Sequence, residues 1–337
     1  MKILVPINNS SEIDILSPLK FNTEFFCGYL PQWWIDEYNN LDNKSGNLAT
    51  PINNRNGRGA NVTSIFELSE IVKKAEKYST DVFLVLNAKY YPDYVYNNIS
   101  KYINEVVLVG ITRMIVSDIG MINYLAINYP EIKVSVSCLN QVSSKLAVEF
   151  YHSFENVDRI VFPRHMSSRE IENIASSNNS LEFEYFIFSN KCLFDDGYCR
   201  GIHEFTPICK DLFYSDFYSK KGESIEICEK KKLAYLEHEY AAWTRNELMC
   251  SANGYCTSNF ACCACSLVRL SKISNITSVK LSIRGHNVEE RLRQVEMASE
   301  VIKQVKIGAT TAEIKHIVST LYGKESLCKD GTSCMMI

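Results

Sequence analysis

The chain has 337 residues, of which 46% are hydrophobic and 22% are charged, with a formal net charge of −3. This composition is typical of a folded globular protein and excludes collagen-like, disordered and low-complexity classes. Because 36 basic residues face 39 acidic ones, no broad basic surface is available to hold nucleic acid through its phosphates alone. No run approaches the roughly 18 apolar residues of a membrane span, and the N-terminal apolar run is too short for a signal peptide. We therefore expect a cytoplasmic protein without a membrane segment.

Short β-rich runs alternate with helical patterns along the chain. Runs such as FLVLN and RMIVSD are apolar on both faces, which is typical of strands covered by helices on both sides. Between these runs, residues Ile65–Tyr78 carry an apolar stripe at helical spacing, and Ser167 with Glu170 forms a capping-box signature. The predicted strands are Lys2–Ile7, Glu24–Tyr29, Val82–Asn87, Arg113–Asp118, Lys133–Cys138, Arg159–Pro163, Glu182–Phe188 and Ser278–Arg284.

Eight strands with helical connections predict an α/β protein with a (β/α)8, TIM-barrel-like fold, and an open doubly wound sheet is the second choice. The first seven strands fall in residues 1–188, and the last strand with C-terminal helices falls in 278–322. Residues 38–64, rich in Asn and Gly, are interpreted as a long loop. Residues 189–277 form a Cys-rich insertion, expected above the carboxyl ends of the strands, and 323–337 are interpreted as a flexible tail.

Cysteines are concentrated in this insertion. Four thiolates hold either a structural zinc ion or an iron–sulfur cluster. Zinc sites favour closely paired cysteines, whereas Cys192, Cys199 and Cys209 are widely spaced, which favours a cluster held across a barrel mouth. Zinc, and thiols without metal, remain alternatives. Of the 13 cysteines, those in the insertion are Cys192, Cys199, Cys209, Cys228, Cys250, Cys256, Cys262, Cys263 and Cys265.

Polar residues at the predicted strand ends are candidates for catalysis, each with a structural alternative. Asp118 either acts as a base or caps the next helix. Arg164 either grips a carboxylate or phosphate, or pairs with a loop acid. Lys280 and Arg284 share a face of the last strand, and functional and structural roles are both open. A nucleophile pair of Cys138 with His165 is a less favoured alternative.

Several segments in residues 1–305 resemble motifs of the collagenase-like peptidase family, peptidase family U32. TRMIVSDIG is similar to a D-x-V-I-V-S-D-x-G segment, and PRHMSSREI to an A-R-E-L-S-x-x-E-I segment. FIFSNKCLFDDGYC matches an apolar strand that runs into C-x6-C. ACSLVRL and KLSIR match a D-L-C element and a lysine–arginine element. The residues that these motifs carry over are Ser117, Asp118, Gly120, Arg164, Glu170, Cys192, Cys199, Cys265, Lys280 and Arg284.

The resemblance implies a barrel that holds, in many members of the family, a 4Fe–4S cluster on four cysteines. Cys192, Cys199 and Cys265 carry over as ligands, with Cys209 as the remaining one and Cys228 as its alternative. One branch of the family instead points to Cys27.

The implied function is that of an iron–sulfur enzyme, such as an oxygen-independent hydroxylase. A peptidase and a non-catalytic, cluster-bearing binding subunit are the alternatives. Phe188-Ser189 replaces the family's H-G, and the glutamine of its S-T-Q is lost at Leu139. The substrate (peptide, RNA or a small aromatic molecule) and dimerisation are therefore left open.

Overall fold

The structure, a computed structural model, describes residues 1–38, 51–55, 58–190, 197, 260–323, 328 and 334–335. Eight parallel strands form a closed barrel, because β1 pairs with β2 on one side and with β10 on the other. The strands are β1 (Lys2–Pro6), β2 (Thr23–Tyr29), β3 (Asn61–Val62), β4 (Val82–Leu86), β5 (Arg113–Val116), β6 (Lys133–Val136), β7 (Val157–Val161), β8 (Glu182–Asn190), β9 (Phe260–Cys262) and β10 (Ile276–Leu281).

The predicted (β/α)8, TIM-barrel-like fold is confirmed, and each of the eight predicted strands corresponds to one barrel strand. Helices surround the barrel. Among the described residues they span Glu12–Ile15, Pro18–Phe21, Gln32–Tyr38, Ile65–Lys77, Tyr96–Leu108, Ile119–Asn128, Lys145–His152, Ser168–Ala175, Leu267–Leu270, Val288–Lys306 and Thr311–Tyr322. None of these helices is both long and apolar enough to cross a bilayer.

Local sequence signals account for where these helices begin. Ser64 caps the helix Ile65–Lys77, whose predicted apolar stripe is buried at four positions, Leu68, Ile71, Val72 and Ala75. The predicted capping box is present: Ser167 Oγ accepts from the Glu170 N–H, and the Glu170 carboxylate accepts from the Ser167 N–H. Both devices satisfy N–H groups that the first helical turn leaves without an intrahelical partner.

Two short strands and part of the tail were not predicted. β3 pairs with the end of β2, and β9 pairs antiparallel with the last three residues of β8. Cys334 forms a parallel bridge with Cys262, and the Met335 N–H donates to the Cys262 carbonyl at 3.0 Å. These two described residues of 323–337, which we expected to belong to a flexible tail, therefore pack against β9.

The inside of the barrel has an apolar layer and a charged layer. Leu4, Phe26, Phe83, Val85 and Ile115 form a buried apolar cluster that is separate from the core between strands and helices. The charged layer contains Arg159, Glu24, Glu184 and Lys280.

Arg159 is the centre of the charged layer. Its guanidinium donates to Glu24 and, at 3.1 Å, to Glu184, while Lys280 donates to the other oxygen of Glu184 at 2.9 Å. Burial alone raises the pKa of the Glu24 carboxyl, but Arg159, together with Lys2 and Ser278, more than offsets this and holds the pKa below its usual range. Two buried cations thus balance two buried carboxylates.

We predict that Arg159→Met destabilises the protein by about 3–5 kcal/mol, because Glu24 then loses its buried cation and Glu184 keeps only Lys280. In the wild type, the pKa of Glu24 is lower in the folded protein than in the unfolded chain, where it is about 4.3. The ionised carboxylate therefore stabilises the fold above about pH 4.3, and this contribution is lost as the pH falls through the pKa of the folded state. In the variant, Glu24 is buried without the Arg159 cation, which raises the pKa of its carboxyl in the folded state. Lowering the pH from about 7 to about 5 then protonates this carboxyl and restores stability. Urea denaturation at both pH values measures the difference.

Arg269→Met is the matched control, because Arg269 forms an exposed ion pair with Glu172. This substitution should lower the free energy of unfolding by only about 0–1 kcal/mol, with no recovery of stability at lower pH. Equal losses in the two variants, or a loss in Arg159→Met that grows as pH falls, would contradict the assigned role of the buried network.

Candidate functional site

The carboxyl end of the barrel is partly covered by residues 51–55 and 58–62, which we call the mouth loop. Asn53 Nδ2 donates to Asn61 Oδ1 at 2.9 Å, and Asn61 Nδ2 donates to the Arg55 carbonyl at 2.6 Å. The loop comes very close to β2: a Cβ built on Gly28 would lie 1.9 Å from Asn61 Oδ1. Only glycine at position 28 therefore allows the loop to lie across the end of the strand in this way.

Arg284, after the end of β10, is part of the mouth-loop structure. Its Nη2 donates to Asn53 Oδ1 at 2.9 Å, and Arg55 Nη1 donates to the Arg284 carbonyl at 2.5 Å. The side chain is buried. Of the two roles left open by the sequence, the observed contacts favour the structural one, in which Arg284 anchors the mouth loop to the last barrel strand.

Arg164 lies at the same end of the barrel, after β7. Its Nη1 donates to Ser189 Oγ at 3.3 Å, and its guanidinium carbon lies 5.5 Å from the centre of the Phe186 ring. Ser189 in turn exchanges a hydrogen bond with Ser282, which follows β10. Contacts to β8 thus hold this half-exposed cation in a defined place beside the mouth.

Asp118 caps a helix. Its Oδ1 accepts from the Met121 N–H at 2.6 Å, at the start of helix Ile119–Asn128. Burial raises the pKa of this carboxyl, and backbone hydrogen bonds from Met121, Tyr91 and Gly120 oppose that rise. The contacts agree with the capping alternative, and a role as a base stays a prediction.

Lys280 points into the barrel, not toward the mouth loop. Its ammonium group pairs with Glu184, as described above, and lies 4.5 Å from the centre of the Phe26 ring. Lys280 and Arg284 therefore contact different partners, although the sequence places them on one strand. The described contacts assign Lys280 to the charged layer.

Polar atoms without a partner gather at the ends of β5 and β6. Asn140 Nδ2 donates to the Ser117 carbonyl at 2.7 Å, which holds the two strand ends together. Ser117 Oγ, Asn140 Oδ1 and Gln141 Nε2 are buried and have no hydrogen-bond partner among the described residues. Buried polar groups normally have such partners, so these three atoms are exceptions within the described part of the fold.

Gly197 is the one residue between 191 and 259 that the structure describes. It lies against Gln141, because a Cβ on Gly197 would come within 2.1 Å of that side chain. Lys89 Nζ lies 3.4 Å from the Gly197 carbonyl. Since Lys89 follows β4 and Gln141 follows β6, Gly197 lies at the carboxyl end of the barrel, where the sequence places the insertion.

The predicted cluster ligands are only partly described. Cys192, Cys199, Cys209 and the alternative Cys228 lie outside the described residues, so this ligand set stays a prediction. Cys265 lies in the turn after β9, and its Sγ is 3.9 Å from the Thr311 carbonyl.

Cys27, the other alternative, is fully enclosed by the core. Burial raises the pKa of its thiol to about 12, although Arg284 opposes the rise. A role of Cys27 as a cluster ligand stays a prediction. Among the described residues, no three Cys, His, Asp or Glu side chains are arranged to hold a metal ion.

Sequence reasoning missed the polar groups of the mouth loop and His286. Asn53, Arg55 and Asn61 lay within a segment interpreted only as a loop, although its unusual Asn content was a usable signal. His286 follows β10, and its Nε2 is buried with no hydrogen-bond partner among the described residues. Burial lowers the pKa of this imidazole, so it is neutral near pH 7. A single histidine after a predicted strand did not indicate that its imidazole would be buried.

We predict that Gly28→Ala displaces the mouth loop, because the new Cβ overlaps Asn61 Oδ1 and approaches Asn53 Nδ2 to 3.0 Å. The expected result is a loss of about 1–3 kcal/mol in the free energy of unfolding, with faster hydrogen exchange in residues 51–62. Gly59→Ala is the matched control, since nothing lies within 4 Å of a Cβ at that position. Unchanged exchange in the Gly28 variant would show that the loop does not depend on this close approach.

Comparison with models of protein families identifies one family. The sequence matches the model of peptidase family U32 over residues 49–325. A solved structure described as the U32 peptidase Mk0906 is similar at 12% sequence identity, with a TM-score of 0.40, over 56% of this chain and 69% of that one. Because the family model matches most of the chain, this protein belongs to peptidase family U32.

Proposed function

We propose that the protein is an enzyme whose substrate binds at the carboxyl end of the barrel through an anionic group held by Arg164. The position of the Arg164 guanidinium, between Phe186 and Ser189, carries this proposal. A planar guanidinium binds a carboxylate or phosphate through paired hydrogen bonds, and a fixed side chain loses little entropy on binding. In TIM barrels this end of the strands is where catalytic sites lie.

Two other cations that the sequence marks as candidates have structural contacts. Lys280 is paired with Glu184 inside the barrel, and Arg284 supports the mouth loop through Asn53. Arg164 lies at the carboxyl end of the barrel and is partly exposed. We assign substrate contact to Arg164 because of this place, and positioning of the mouth loop to Arg284.

The polar groups of β5 and β6 extend the proposed substrate site. Ser117 Oγ is both a donor and an acceptor, Asn140 Oδ1 is an acceptor and Gln141 Nε2 is a donor. A substrate with a hydroxyl, amide or phosphate group satisfies such a mixed set, whereas a purely apolar molecule does not.

We further propose that the enzyme modifies its substrate with a 4Fe–4S cluster held by Cys192, Cys199, Cys209 and Cys265. The support is the thiol supply of the insertion and its resemblance to the cysteine pattern of the family. Cys192 comes two residues after the end of β8, the strand that holds Arg164 through Ser189. When bound, such a cluster supplies electron-transfer chemistry beside the substrate. Oxygen-independent hydroxylation is the reaction type that the resemblance suggests.

Peptide hydrolysis is the second candidate function. Cys138 begins the turn after β6 and His165 follows β7, and these two strands are neighbours in the barrel. A thiol next to an imidazole is the arrangement of a cysteine nucleophile and its base. Peptide cleavage that survives removal of all iron and is lost in Cys138→Ser would favour this function over the first.

For the substrate site, we predict that inorganic phosphate binds the wild type and raises its unfolding temperature. Arg164→Gln should bind phosphate roughly 10- to 100-fold more weakly, because a charged hydrogen-bond donor contributes about 1.5–3 kcal/mol. Isothermal titration at low salt measures the change. Arg169→Gln, an exposed arginine on the next helix, is the control and should bind like the wild type. Equal affinity in the two variants would reject Arg164 as the anion site.

For the cluster, we predict that protein purified without air contains iron and acid-labile sulfide, with the broad visible absorbance of thiolate–iron charge transfer. Cys192→Ser should lose most of the iron, because each ligand of a 4Fe–4S cluster is a thiolate. Cys138→Ser, a thiol outside the proposed set, should keep it. Iron content that is the same in both variants, or absent from the wild type, would contradict the ligand set.

A further inference from the structure

Two arginines from distant parts of the chain are held together at the carboxyl end of the barrel. Arg55 Nη1 of the mouth loop donates to the Arg284 carbonyl at 2.5 Å, and Arg284 Nη2 donates to the Arg55 carbonyl at 3.5 Å. Each guanidinium therefore lies against the main chain of the other residue. Neutral carbonyl oxygens orient these groups without neutralising their charge. The exchange of hydrogen bonds thus brings two positive charges to one place.

A tight turn after β10, Ile283–His286, places a histidine beside this arginine pair. We call it the β10 turn. The His286 N–H donates to the Ile283 carbonyl at 3.2 Å, and Gly285 has a φ of 90°. This φ is the one that a type II turn requires at its third residue, where glycine is favoured. Only one residue separates the Arg284 carbonyl from His286, so the imidazole lies close to the guanidinium that this carbonyl holds.

The His286 imidazole has a polar atom that a ligand can satisfy. Its Nε2 is buried and has no hydrogen-bond partner in the described part of the chain, which is unusual for a buried polar atom. Burial, and next the charge of Arg55, lower the pKa of this imidazole, so it is neutral near pH 7. With its proton on Nε2, the neutral ring donates to an anionic oxygen bound beside Arg55.

The acids near the β10 turn have cations of their own. The charged side chains that affect the ionisation of this imidazole are Arg55, Glu290 and Arg291. Glu290 lies 3.5 Å from the Arg293 Nε, and Arg291 donates to Glu12 at 2.6 Å. Within the described chain, these acids are therefore each matched by an arginine outside the pair that the mouth loop forms.

The β10 turn also lies next to the proposed substrate cation. Ser282 exchanges a hydrogen bond with Ser189, and Ser189 accepts from Arg164 at 3.3 Å. Ser282 and Arg284 are two residues apart, a stretch of at most about 7 Å. In TIM barrels, the loops after the last two strands often bind a phosphate group. The turn and Arg164 are thus neighbours at the end of the barrel where substrates bind.

We propose that Arg55 and His286 form a second anion-binding subsite, and that the substrate held by Arg164 carries two anionic groups joined by a short spacer. This inference rests on the proposed function and adds a substrate class to it. The two groups are phosphates or carboxylates, which a guanidinium binds through paired hydrogen bonds. Arg55 and His286 contact the second group, and Arg284 is a positioning residue that holds Arg55 in place.

The test compares inorganic phosphate with linear alkane bisphosphates of increasing spacer length, by isothermal titration of the full chain at low salt. Once a spacer spans both subsites, the second phosphate binds as part of the same molecule. We therefore expect at least one bisphosphate to bind roughly 10- to 100-fold more tightly than inorganic phosphate.

Three variants assign this gain to Arg55. Arg55→Gln should remove the gain and keep the affinity for inorganic phosphate, which is assigned to Arg164. Arg55→Lys should keep part of the gain, because it keeps the positive charge. Arg169→Gln, an exposed arginine on another helix, should keep all of it.

A second measurement follows His286 directly. In protein with isotope-labelled histidine, one imidazole NMR signal is identified as His286 by its loss in His286→Gln. This signal should shift when the best bisphosphate is added to the wild type, and the pKa of the imidazole should rise beside the bound anion. Because the signal is read in the wild type, it decides the question even if Arg55→Gln disturbs the mouth loop.

The outcomes separate the second subsite from the Arg164 site. The second subsite is overturned if the wild type binds phosphate but no bisphosphate more tightly, if Arg55→Gln keeps the gain, or if the His286 signal does not move. The Arg164 site fails if Arg164→Gln binds phosphate like the wild type, and the effect of Arg55→Gln on bisphosphate is still measurable then. A wild type that binds neither ligand overturns both.

Discussion

Arg159 extends from β7 across the inside of the barrel to Glu24 on β2, four strands away in a ring of eight. The same guanidinium reaches Glu184 on the neighbouring strand, and Lys280 takes the other oxygen of that carboxylate. Because these groups are removed from water, each charge is stable only while its partners are in place. The network joins opposite walls of the barrel, and it fixes the strands whose carboxyl ends form the mouth.

The mouth loop depends on the close approach of the Gly28 backbone to the Asn61 side chain at the carboxyl end of the barrel. Gly28 leaves space for Asn61, Asn61 holds Asn53, and Asn53 accepts from Arg284 after the last strand. This chain of contacts runs from β2 to β10 across the end of β1. Arg164, supported separately by Ser189 of β8, lies at the same end of the barrel, which is why we propose it as the contact for an anionic substrate.

The sequence predicted the barrel because its signals are local. Apolar runs marked all eight strands, and Ser167 with Glu170 marked a helix start that the structure contains. The site was harder, because its contacts are between residues far apart in the chain. Lys280 is paired with an acid 96 residues away, and nothing near KLSIR indicates which one. The bridge of Cys334 to Cys262 was likewise beyond any local pattern.

β8 connects Arg164 to the short strand β9. Its Ser189 accepts a hydrogen bond from Arg164, and its last three residues form the antiparallel ladder with β9. On the far side of that ladder, Cys334 forms a parallel bridge with Cys262 of β9. The end of the strand that positions Arg164 is therefore restrained, through β9, by a residue from near the other end of the chain.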